Sequence, residues 1–145
     1  MIVITDTNIF YSALQKPSGI IAKILTAKSK IQFFAPDFLI DEIRDKIDEI
    51  VDNTKKSRKE KLNELTMLLA KISIINMEDI PKKDVVQAYK IVRDIDLEDL
   101  AFVALHLYTK HKIWTTDIQL QNGLKAKGYD ICITTTELKK SLYKK

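Results

Sequence analysis

The chain has 145 residues, 46% apolar and 30% charged, with a formal net charge of +4. That is the composition of one soluble globular core and excludes an intrinsically disordered chain. Three Gly and three Pro are too few for a turn-rich all-β or linker-rich protein, and the lone Cys132 excludes an internal disulfide and a Cys-based zinc site.

Ile2-Val3-Ile4-Thr5 is a β-branched run that stops at Asp6-Thr7-Asn8 and reads as a buried strand. Ser18 precedes the periodic residues Ile20, Ile21, Ile24 and Leu25, which predict a helix start. Ile31 to Ala35 is a second strand, closed by Pro36. From Asp37 to Val51, Leu39, Ile43, Ile47 and Ile50 share one helical face. Ser57 to Ala70 is another helix, and Ile72 to Ile75 a third strand. The intervening basic run Lys55, Lys56, Arg58, Lys59, Lys61 is predicted to be the flexible stretch. Val85–Arg93 and Asp96–Tyr108 are helical, Lys112–Thr116 is a fourth strand and Ile131–Thr135 a fifth. Five short apolar strands alternating with helices predict an α/β fold with a mainly parallel sheet, as a single domain over residues 1–145. No basic leader opens the chain and no apolar run approaches the roughly 20 residues that span a bilayer, so a cytoplasmic protein without membrane contact is expected.

Ligands of an open parallel sheet sit at the carboxyl ends of its strands. Asp6 ends the first predicted strand, Asp117 follows the fourth, and Asp96-Leu97-Glu98-Asp99 opens the helix between them. Glu42, beside the Leu39/Ile43 stripe, is the fourth candidate. Two carboxylates ~5 Å apart repel by roughly 3 kcal/mol at an effective dielectric of about 20, so a gathering of several requires protonation or a divalent cation. All-oxygen donors select Mg²⁺ or Mn²⁺. Each acid also has a plainer reading: Asp6, Asp96 and Asp117 as helix caps, Asp99 as a first-turn acid favoured by the helix dipole, Glu42 as part of a solvated face.

The same segments resemble the PIN-domain family of small metal-dependent ribonucleases, which includes many prokaryotic toxins. Ile2–Asn8 is similar to its hydrophobic strand followed by Asp-Thr-Asn. Asp37–Ile43 is similar to the segment carrying its second acid, here Glu42. Asp96–Leu105 resembles the third-acid segment before an Ala-rich helix, and Ile113–Asp117 resembles the Thr-x-Asp that ends the fourth strand. Thr116 and His106 depart from residues usual in the family, without removing a carboxylate. The resemblance implies a twisted, mainly parallel sheet of about five strands flanked by helices. It implies Asp6, Glu42, Asp99 and Asp117 as catalytic metal ligands for Mg²⁺ or Mn²⁺, with Asp96 the alternative to Asp99, and Asn8 and Thr115 as polar supports. RNA is the implied substrate, an antitoxin the implied inhibitory partner, and homodimerisation is common in such domains.

An acidic site repels RNA, so phosphate contacts must come from elsewhere. Lys55, Lys56, Arg58 and Lys59 are the candidates, with Lys82, Lys83 and the tail Lys139, Lys140, Lys144, Lys145 behind them. Tyr11, Phe10 and Phe38 lie near the expected mouth, Phe10 and Phe38 being expected in the core. Trp114 and Cys132 read as buried strand residues, and His106 and His111 as structural. Two competing readings are a non-catalytic RNA- or protein-binding module on the same fold and a phosphatase using an Asp nucleophile; Asn8 stands where the latter usually wants a second Asp.

Overall fold

A computed structural model of the chain describes residues 1–142. Among them are five strands: β1 (Ile2–Thr5), β2 (Gln32–Pro36), β3 (Ile72–Ile75), β4 (Lys112–Trp114) and β5 (Cys132–Ile133). They form one sheet in the order β3-β2-β1-β4-β5, every pairing parallel. β1 lies at the centre because Val3, Ile4 and Thr5 can be buried on both faces, as a strand covered by helices on two sides demands. The order reverses between β1 and β4, so the crevice of this sheet opens where those two strands end.

Among the described residues eight α-helices connect and cover the strands: α1 (Thr7–Gln15), α2 (Ile20–Thr26), α3 (Phe38–Thr54), α4 (Arg58–Leu69), α5 (Lys82–Val92), α6 (Leu100–Thr109), α7 (Ile118–Ala126) and α8 (Thr135–Leu142). The apolar stripe of α3 (Leu39, Ile43, Ile47, Ile50) is buried, as its spacing predicts. Trp114 is fully buried beside Phe33, and its indole N–H donates to Thr135 Oγ1 at 3.0 Å. Among the described residues no helix is long and apolar enough to cross a membrane.

Several expected boundaries move. The fifth strand shortens to two residues because Thr134 and Glu137 form a capping box: Glu137 N–H donates to Thr134 Oγ1 at 3.1 Å and Thr134 N–H to Glu137 Oε1 at 3.2 Å, which starts α8. Thr115 and Thr116 leave the sheet after β4. Asp96–Tyr108 divides into a 3₁₀ turn, Leu97–Asp99, and α6. Phe10 is core as expected, but Phe38, at the exposed start of α3, is 37% exposed, and Cys132 is only half-buried. His106 Nδ1 lies 2.6 Å from the His111 carbonyl oxygen, a structural bond tying α6 to β4.

The basic run is not a flexible loop. Lys55 closes α3 in a left-handed conformation (φ 57°), Ser57 caps α4, and only residues 55–57 separate the two helices. Arg58 is ion-paired to Asp48. Lys61 is fully buried, its Nζ donating to the Leu14 carbonyl at the end of α1 (2.8 Å) and to Glu64 (2.7 Å). It pins α4 to α1 and is not available to a phosphate. Lys61→Met is expected to destabilise the protein by about 3 kcal/mol in a denaturant titration, since it leaves a helix-end carbonyl and a partly buried carboxylate without their donor. Of the tail lysines, Lys139 and Lys140 are exposed on α8; Lys144 and Lys145 lie outside the described residues.

Candidate metal centre

Asp6 is the first residue beyond β1. Its N–H reaches the Trp114 carbonyl across the β1/β4 divide (3.4 Å), and its Oδ1 accepts from Ile9 N–H (3.0 Å), capping α1. The plain reading of Asp6 as a cap therefore holds, yet the side chain is almost fully buried. Burial raises its pKa to about 6 against hydrogen bonds from Thr115 and Ile9, with Asp117 and Glu42 adding repulsion. Thr115 is itself buried, and its Oγ1 accepts from Asp117 N–H at 3.0 Å while its hydroxyl serves Asp6. It joins the ends of β1 and β4.

Asp99 closes the 3₁₀ turn that leads into α6 and makes no capping hydrogen bond. Its Oδ2 is buried without a partner among the described residues. Burial first, then the charges of Asp96, Asp117, Asp6 and Glu42, push its pKa up to about 7. Asp96 differs: it is exposed, and its carboxylate is spent on Glu98 N–H (3.0 Å), the cap the sequence suggests. Glu42, one turn into α3, is half-buried and accepts from the Thr7 hydroxyl. Burial raises its pKa too, Glu98 and Asp96 adding to it and Lys46 opposing. Asp117 caps α7 through Leu120 N–H at 3.2 Å.

Asp6, Glu42 and Asp99 line one small cavity of about 30 Å³ together with Thr7, Asn8, Lys46, Glu98 and Phe102. Asp117 is not in its wall, although its charge reaches both Asp6 and Asp99. Among the described residues no three Asp, Glu, His or Cys side chains stand close enough to surround an ion as they are arranged. The donor set nevertheless fits a hard divalent cation. It is all oxygen, it includes an unpartnered buried carboxylate oxygen, and the pocket exceeds the ~15 Å³ that one water needs. Asn8 is exposed on the rim, and no hydrogen bond joins it to a carboxylate among the described residues; Thr7 is the residue that holds Glu42. Thr7, Lys46 and Glu98 escape a reading of the sequence. Only the spacing of Lys46, four residues after Glu42 and so on the same helical face, signals its place.

Lys55 lies thirteen residues beyond Glu42 on α3, roughly 20 Å along the axis at 1.5 Å per residue. Lys55 is therefore remote from the cavity, whereas Arg58 reaches back along α3 to pair with Asp48.

The family model for the PIN domain matches residues 4–142. Among solved structures, that of VapBC2 from Rickettsia felis bound to a promoter DNA fragment contains a chain with the same fold. The match has a TM-score of 0.67 and covers 92% of this chain and 97% of that one, at 14% sequence identity. No curated protein matches the chain.

Proposed function

The chain belongs to the PIN-domain family, a family of nucleases, and from that premise we propose that it is a metal-dependent endoribonuclease. Asp6, Glu42, Asp99 and Asp117 would hold Mg²⁺ or Mn²⁺, with Asp96 outside the set. The observation that carries the reading is Asp99: a buried carboxylate with an unpartnered oxygen, beside three other acids on one cavity wall, is unfavourable unless something positive joins it.

A bound divalent cation supplies Lewis acidity toward water and the phosphodiester. The chain's own residues do the rest. Thr115 and the Ile9 amide oppose the protonation of Asp6 that burial favours, Thr7 orients Glu42, and the caps on α1 and α7 lock Asp6 and Asp117 in place. Such supports typically contribute 10–100-fold to metal affinity or activity. Thr7→Val should accordingly weaken Mn²⁺ binding about tenfold in a calorimetric titration, with little loss of stability.

The likeness to a VapBC2 chain supports a toxin role with an antitoxin as inhibitory partner, and homodimerisation is part of the same reading. Lys55, Lys56, Arg58 and Lys59 would contact flanking phosphates, Lys55 being remote along α3 and Arg58 engaged by Asp48. The test is labelled RNA incubated with the purified protein in Mn²⁺ or in EDTA. Cleavage in Mn²⁺, absent in EDTA and in Asp6→Asn, is expected. Binding without cleavage under every metal condition would favour the non-catalytic module.

A further inference from the structure

Among the described residues, Lys46 is the only cationic side chain lining the acidic cavity. It would be expected to fold onto Glu42, its neighbour one turn back, or onto Glu98 or Asp99. It does neither: among the described residues no ion pair involves Lys46. Its Nζ instead lies 5.6 Å from the centre of the Tyr11 ring, over the aromatic face. Tyr11 is in turn anchored, its hydroxyl donating to Glu49 Oε1 at 2.7 Å. Glu42 satisfies itself with the Thr7 hydroxyl. The ring holds the ammonium at the rim while leaving its hydrogen-bond donors unspent, which a carboxylate partner would not.

An RNA phosphodiester approaching the four carboxylates of the cavity wall meets repulsion; of the basic run, Lys55 lies roughly 20 Å away along α3 and Arg58 is engaged by Asp48. We propose that Lys46, held on the Tyr11 ring, is the substrate-binding residue that takes a non-bridging oxygen of the RNA phosphate entering the cavity. The proposal rests on the nuclease reading and deepens it. Lys46 supplies the local positive charge that the acid set lacks toward substrate, and its flexible stem lets the ammonium leave the ring for the phosphate.

The experiment compares wild type, Lys46→Met and Lys46→Arg by steady-state cleavage of a single-stranded RNA in Mn²⁺ over a range of salt. Fluorescence anisotropy of the same labelled RNA in EDTA provides a metal-free readout. Lys46→Met is expected to raise KM about tenfold with kcat changed less than about threefold. The slope of log affinity against log salt should fall by about 0.7, the share of one single-strand phosphate contact. Lys46→Arg should keep most of the affinity. Unchanged KM, anisotropy and salt slope in Lys46→Met would overturn the proposal. So would a variant whose only change is its Mn²⁺ requirement, because Lys46 would then merely balance the acids. If wild type cleaves no RNA, the nuclease reading falls, and anisotropy still decides on Lys46: equal RNA binding by wild type and Lys46→Met overturns it.

Discussion

Asp99→Asn is expected to lower Mn²⁺-dependent RNA cleavage by about 10³-fold, the loss of roughly 4 kcal/mol of transition-state stabilisation at 1.4 kcal/mol per decade. The substitution is nearly isosteric. Asp99 makes no capping bond at the start of α6, and its Oδ2 has no protein partner to lose. The fold therefore has little reason to respond, and the lost activity would report the missing charge. Asp96→Asn is the matched control. Asp96 is exposed and its carboxylate serves the Glu98 amide, a role Asn also fills, so cleavage should stay within about threefold of wild type. Rates of labelled-RNA cleavage for the two variants, side by side, decide the matter. An active Asp99→Asn with an inactive Asp96→Asn would reverse the assignment.

The second large effect is on stability without metal. The folded protein holds Asp6 near 6 and Asp99 near 7, against an ordinary 3.8. Both shifts are upward, so the folded state binds more protons than the unfolded chain between about pH 4 and 7, and stability falls as pH rises through that window. Below pH 4 both carboxyls are neutral in either state and the penalty vanishes. Above pH 7 it is fully present, at several kcal/mol for the coupled pair. The Tm of the protein in EDTA is expected to drop by about 10 °C from pH 5 to pH 8 through these two groups. Asp99→Asn should flatten that fall and raise the Tm at pH 8. Saturating Mn²⁺ should restore the wild type, because a ligand bound only by the folded state stabilises it by mass action. A wild-type Tm in EDTA that is flat or rising from pH 5 to pH 8 would show that the carboxylates are not crowded in this way.

The residues that end strands were legible at once, because a β-branched run that meets Asp-Thr-Asn must stop, and a strand's end in a parallel sheet is the place for a ligand. Capping was legible too: Asp6, Asp96 and Asp117 all cap as their spacing suggests, since a cap needs only an amide two or three residues away. The distinction between Asp96 and Asp99 was not. Both are acids in one turn, and only the packing of that turn against α5 and α6 buries one and leaves the other in solvent. Lys61 and Lys46 make the same point in opposite directions. A run of lysines reads as solvated surface, yet the docking of α4 on α1 encloses Lys61 with a carbonyl and a carboxylate. Lys46, unremarkable in a charged helix, comes to face the acids only because folding sets α3 on one cavity wall with Asp6, Glu98 and Asp99.

The linear chain thus determined the alternation of strands and helices, the acids at strand ends and their caps, all of which follow from interactions within a few residues. Tertiary structure alone decided which carboxylates share a cavity, which lysine is buried and which faces those carboxylates. Those outcomes depend on desolvation and on charges brought together from distant segments, and neither exists until the sheet and its helices have packed.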